Sequence, residues 1–445
     1  MQVNRSSLSL DQAPPISVPF RFFLTAPVFG LLAALLLLIY GPEALSTRWA
    51  PATLALTHLI TLGFLGLIMC GAMMQMLPVL AGSPVPSVEW VTAVVHLLLS
   101  IGVLALAAGF LLGANALLHL ALAALGGGFL VFIAAVAIAL KRIQAPNATI
   151  NGMRLAVLAL FITVMLGLTV GAGFSGMISL GLLIPLTDVH LGWGLLGWVG
   201  LLVISVAYQV VPMFQLTPEY PARLTRLLAW ALFGALMIWA PLYLAWGSGG
   251  LPRLAPDVWM LAPAAAYGLF AGVTLWLQQN RRRRVSDITL LFWRTGMVAI
   301  AVCLLIWLWG LIPAEAYRPA WPLLLGVWLL FGMAVSVVNG MLYKIVPFLA
   351  WFHLQSRQVA LMSMGKVKVP NMKELIPDRL AQRQLYAHLA TLILLTLAVF
   401  WPGFLARIAG LSLGVSCILL LLNMLQATRR YRQVNQELSE FAASR

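Results

Sequence analysis

The chain has 445 residues, of which 62% are hydrophobic and 9% charged, and its formal charge is +15. Soluble domains are nearer half apolar and about a quarter charged, so a water-surrounded core does not absorb this composition, whereas lipid does. The cations lie between apolar runs with no aromatic-interleaved basic face, which argues against nucleic acid and makes anionic lipid headgroups their natural counter-charge.

Met1 to Pro19 is polar and proline-containing, with no apolar h-region and no small-residue cleavage site. It is expected as a cytoplasmic tail, not a signal peptide. Twelve apolar runs of bilayer length follow, at 20–40, 52–80, 89–113, 115–141, 152–182, 187–214, 222–246, 257–279, 286–312, 321–351, 385–403 and 405–426. The expected fold class is all-α, a polytopic membrane protein of about twelve transmembrane helices forming a single domain over 20–426. Spans three and four, and eleven and twelve, are parted by little more than a Gly or Pro turn.

With the N-terminus inside, the outer loops hold only Arg48, Arg253, Arg318 and Arg407, and Lys344 lies within the tenth span. The other cations fall on the cytoplasmic side. They include Lys141, Arg142, the run Arg281 to Arg284, the stretch Arg357 to Arg383, and Arg429, Arg430 and Arg432. This is the asymmetry of the positive-inside rule. It places the chain in a bacterial-type inner membrane with an even number of spans and both termini, including the tail 427–445, in the cytoplasm. The loop 352–384 is the one sizeable extramembrane segment, a solvated basic connector or a docking place for a respiratory or electron-transfer protein.

One segment recurs. Residues 62–78 read LGFLGLIMCGAMMQMLP, residues 196–212 read LGWVGLLVISVAYQVVP, and residues 331–347 read FGMAVSVVNGMLYKIVP. The closing prolines Pro78, Pro212 and Pro347 are 134 and 135 residues apart. A period of four helices gives every copy the same membrane orientation, hence three like-oriented four-helix repeats over about 20–145, 152–280 and 286–426. Glycines at helical spacing, Gly63 with Gly66 and Gly197 with Gly200, let helix backbones approach closely in lipid.

Polar groups inside the spans are few. His58, His119 and His190 fall in the outer half, His96 in the inner half, and His353 and His388 flank the cytoplasmic loop. An imidazole in hydrocarbon needs a partner. It finds one in a backbone carbonyl, a metal or haem iron, so His58, His190 and His119 are the candidate cofactor ligands, and His58 and His190 the candidate metal ligands. Asp188 is placed either to orient His190 or to cap the sixth helix beside Thr187. Gln75, Gln209 and Lys344 take matching positions near the inner ends of spans two, six and ten, where Lys344 can snorkel. Cys70, Cys303 and Cys417 each sit in an apolar run and read as buried free thiols. There is no P-loop, no dinucleotide fingerprint and no HExxH motif, and no residue is marked as catalytic.

Twelve helices in three like-oriented groups, with a histidine early in spans two and six, resemble the catalytic subunit of haem–copper oxidases. The stretch HLITLGFLGLIMCGAMMQMLP from His58 is similar to the second helix of that superfamily. The opening FRFFLTAPVFGLLAALLLL followed by THLITLGF is similar to NnrS, a haem- and copper-containing membrane family associated with nitric oxide tolerance. The resemblance spans most of the chain. It implies a haem ligand at His58 and, on the sixth helix, a copper ligand at His190, with haem the leading cofactor and copper the lesser one. The seventh span has no histidine, so the family's paired copper ligands have no counterpart, and the tenth span carries none either. The functions implied are electron transfer, nitric oxide handling or respiratory-complex assembly. Beside them stand a membrane transporter, for which internal repeats are common, and a structural subunit that kept the fold without its cofactor.

Overall fold

The computed structural model describes residues 14–282, 287–312, 320–364 and 366–444, the side chain of Leu80 excepted. Most of the expected N-terminal tail, with Arg283, Arg284 and Arg318, lies outside the described residues. Twelve helices among the described residues are long and apolar enough to cross a membrane, and these residues hold no strand. The chain is a polytopic helical membrane protein. The helices are α1 (Ser17–Leu45), α2 (Pro51–Val79), α3 (Val88–Leu112), α4 (Asn115–Lys141), α5 (Ala148–Phe174), α6 (Leu183–Gln215), α7 (Ala222–Gly247), α8 (Leu254–Gln279), α9 (Ile288–Trp309), α10 (Ala320–Ala360), α11 (Asp378–Phe400) and α12 (Pro402–Ala443).

Local chemistry sets these limits. Asn147 and Asp287 cap α5 and α9 by accepting the Ile150 and Leu290 amides, each at 2.9 Å. Prolines 51 and 402 open α2 and α12, where their missing N–H costs nothing. Gly113, at a left-handed φ of +61°, parts α3 from α4. The narrow splits expected from sequence are therefore present.

Four boundaries differ most from the sequence reading. α5 stops at Phe174, well short of 182, and Gly176 beyond it has a left-handed φ of +73°. α11 begins at Asp378, seven residues before 385, which draws His388 inward. α10 and α12 have 41 and 42 residues, roughly 60 Å of helix against a hydrocarbon core of about 30 Å. Their ends therefore run past the membrane and pair. Arg357 donates to the Asn435 carbonyl at 3.2 Å and to Ser439 Oγ at 2.8 Å, and His353 shares a 3.0 Å hydrogen bond with the Tyr431 hydroxyl. Residues 427–443 thus continue α12, and the connector proper is 361–377, with one capped turn at Met372–Leu375.

α3 with α4 and α11 with α12 form close hairpins, and α1 packs along α12, so the first and last helices meet. α2 and α6 are the most enclosed helices, while α7 and α8 face outward. Each of α2, α6 and α10 contains a π-helical segment, at Leu59–Gly66, Trp193–Val199 and Val327–Val335. These begin 134 residues apart in both intervals. The segment of α10 touches those of α2 and α6, so the wide turns meet in the interior. A π turn breaks the regular carbonyl pairing, and in lipid a freed carbonyl needs another donor. Here the Tyr267 hydroxyl of α8 donates to the Leu196 carbonyl at 2.5 Å, and Ser336 Oγ donates to the Phe331 carbonyl at 3.4 Å.

Candidate cofactor cavity

Between these helices lies a cavity of about 1720 Å³, well above the 1,000 Å³ or so that bounds most ligand pockets. Its walls are largely apolar, with leucines and aromatic rings from α2, α5, α6 and α10. It reaches one end of the bundle, where Arg48, Trp49, Arg253 and Asp257 border it. We call this the arginine end and the opposite one, with Lys141 and Lys344, the lysine end.

His58 and His190 both line the cavity. Each lies just before a π segment: His58 is the residue before Leu59, and His190 lies three before Trp193. Nδ1 of His58 is 2.7 Å from the Leu54 carbonyl one turn back. Nδ1 of His190 is 3.0 Å from the Thr163 carbonyl on α5. A carbonyl oxygen only accepts, so each Nδ1 carries the proton and donates it. Each Nε2 then holds the lone pair, and among the described residues no protein group pairs with it. Phe110 packs tilted on His58 at 5.8 Å. Gly167 lets the His190 ring rest on α5, since a Cβ there would sit 2.8 Å from Cε1.

Asp188 does neither thing expected of it. It faces Arg48, which donates to both carboxylate oxygens, and it accepts the Tyr243 hydroxyl at 2.8 Å. His190 is oriented instead by a backbone carbonyl, and the Thr187 hydroxyl donates to Leu183 O at 2.8 Å. This ion pair joins the turn before α2 to the start of α6 beside the cavity mouth.

The other candidates are elsewhere. His119 is exposed on α4 and does not line the cavity. Gln75 is buried with an unpartnered Oε1, Gln209 is half-buried, and Lys344 pairs with Asp287 at 3.5 Å. His96 shares a 2.9 Å hydrogen bond with Thr25. His388, expected beside the loop, is fully buried, stacked 4.4 Å from Phe331 and 2.7 Å from Ser336 Oγ. All three cysteines are buried and free.

Several residues around the cavity escape a reading of the sequence. The Thr163 carbonyl leaves no trace in side-chain identity. Gly167 belongs to a run with Gly171 and Gly173 whose spacing marks a packing face but not its occupant. Arg48 had a signal, as one of the few cations at an end that also holds Asp188.

Among the described residues, no three His, Cys, Asp or Glu side chains gather around one point. No protein-family model matches the chain, and no curated protein matches it.

Proposed function

We propose that this is a haem-binding membrane protein related to the catalytic subunit of haem–copper oxidases and similar to NnrS. In this reading His58 and His190 would hold one haem in the large cavity. The observation that carries it is the tautomer: both imidazoles donate Nδ1–H to a carbonyl and turn an unpaired Nε2 into a roomy apolar cavity, which is how a histidine is preset as a ligand. Two imidazoles complete a haem, whose ring already supplies four nitrogens, but leave a copper ion short of ligands. Copper on the same pair is therefore the lesser form. Arg48 and Arg253 at the mouth offer counter-charge to haem carboxylates. Bound haem would supply one-electron chemistry there, suited to electron transfer or nitric oxide handling.

The three π segments at a 134-residue interval support the threefold repeat, because each falls beside or within the copies at 62–78, 196–212 and 331–347. By the positive-inside rule the lysine end and both termini face the cytoplasm of an inner membrane.

The test is an absorption spectrum of detergent-purified protein from haem-replete cells, oxidised and dithionite-reduced, with metal analysis of the same sample. A Soret band that His58→Ala removes and His190→Ala shifts is the expected result. A colourless wild-type protein without stoichiometric metal sinks the reading and leaves transport or a structural role.

A further inference from the structure

α6 leaves α geometry just after His190, and one carbonyl marks the break. The Gly200 amide reaches the Leu195 and Gly197 carbonyls and passes over Leu196, four residues back, which it would serve in an α-helix. In hydrocarbon a bypassed carbonyl needs a donor from elsewhere. Tyr267 of α8 supplies it: the side chain is buried, and its hydroxyl donates to the Leu196 carbonyl at 2.5 Å. Gly200 makes the room, since a Cβ there would lie 1.6 Å from Oη and 2.6 Å from Cζ of Tyr267. In α10 the donor to the wide turn, Ser336, belongs to the same helix. In α6 it comes from another helix.

The π and α registers of α6 differ by one residue's worth of turn. Closing the wide turn into regular helix rotates the part before it by about 100° and shifts it by about 1.5 Å along the axis. His190 lies on that part, six residues before Leu196. In the π register its Nδ1 meets the Thr163 carbonyl at 3.0 Å and its ring fits against Gly167. A rotation of that size breaks both contacts. In the α register the Gly200 amide would take the Leu196 carbonyl and leave the buried Tyr267 hydroxyl without its acceptor, and that loss opposes closure. A second tie between α8 and α6, Gln278 Nε2 donating to Gln215 Oε1 at 3.0 Å, sits at the last residue of α6, well beyond the π segment.

We propose that Tyr267 is a positioning residue: seated on Gly200, its hydroxyl holds α6 in the π register and so keeps His190 aimed into the large cavity. It acts through the α6 backbone. The spectral part of the test rests on the haem reading, whereas the register of α6 does not.

In full-length apoprotein from haem-deficient cells, labelled with 15N-histidine and embedded in lipid bilayers, solid-state NMR reads the tautomer of each ring. The His190 signals are those that His190→Asn removes, and wild type should show Nδ1 protonated and Nε2 bare. Tyr267→Phe keeps the ring without the donor, and should abolish this pattern at His190 while leaving it at His58. Tyr267→4-aminophenylalanine, which restores an N–H donor, should restore it. Gln278→Leu, which cuts only the second tie, should leave it unchanged. In haem-loaded protein Tyr267→Phe should give the Soret shift of His190→Ala. A wild type without a Soret band sinks the haem reading and leaves the NMR result to decide the role of Tyr267. A His190 pattern that survives Tyr267→Phe, or that Gln278→Leu abolishes as fully, would overturn that role. If Tyr267→Phe does not fold, a His190 pattern in Tyr267→4-aminophenylalanine that differs from wild type would overturn it as well.

Discussion

Gly167 and Asp188 show how single residues hold the cavity's histidines without being ligands. A side chain at 167 collides with the His190 ring at 2.8 Å, and the ring is the part able to move. Gly167→Val should cost about 1–3 kcal/mol of stability and give the same Soret shift as His190→Ala. Gly234→Ala, at a position with nothing within 4 Å, should leave the spectrum unchanged. Asp188 accepts from both Arg48 and Tyr243, so Asp188→Ala strands two donors. A loss of about 1–3 kcal/mol is expected, toward the lower end because Arg48 is 31% exposed. Thermal unfolding in detergent reads it directly, and an unchanged melting temperature would show that the pair carries no stability. His58 stood out from sequence because an ionisable group among leucines is costly. The correction at His388 has the opposite lesson: α11 begins with charged residues, yet tertiary packing buries His388 completely.

The π segments do at the level of elements what glycine does at the level of residues. Each wide turn adds a residue and so re-aims the helix before it, where His58 and His190 sit. Deleting Ile60 would convert Leu59–Gly66 toward regular helix and rotate the preceding turn by about 100°. His58 would leave the cavity wall, so under the proposed function the expected outcome is loss of the Soret band with helical content unchanged by circular dichroism. The seam between α1 and α12 is the other sensitive element. A Cβ at Gly410 would lie 3.0 Å from the Leu38 nitrogen and 3.2 Å from the Ala34 carbonyl. Backbone cannot step aside as a ring can. Gly410→Val should therefore prise the first helix from the last and cut the yield of monodisperse protein on size exclusion, whereas a yield equal to wild type would show that the seam is dispensable. The glycine spacing of spans two and six announced close packing, but not that the same stretches depart from α geometry, because hydrogen-bond register is invisible in side-chain identity.

Membrane orientation belongs to the whole molecule. With the lysine end cytoplasmic, a fluorescent protein fused after Arg445 should be bright, and alkaline phosphatase inserted at Gly249 in the α7–α8 turn should be active. The reverse pattern would invert the bundle. Basic composition alone says little here; what counts is that the cations gather at one end.

Twelve spans, their alternation and the splits at Gly113 and Pro402 were legible because lipid demands runs of apolar residues of one length, and that demand acts on every residue in turn. The candidate pair His58 and His190 was legible for the same reason, as costly exceptions. The partner of Asp188, the burial of His388 and the exposure of His119 were decided by helices far apart in the chain. Arg48 and Asp188 are 140 residues apart, and His388 and Ser336 are 52 apart. Each such meeting depends on how neighbouring helices rotate about their axes. A rotation of that kind is set by the sum of many small packing terms, and no local stretch of sequence carries it.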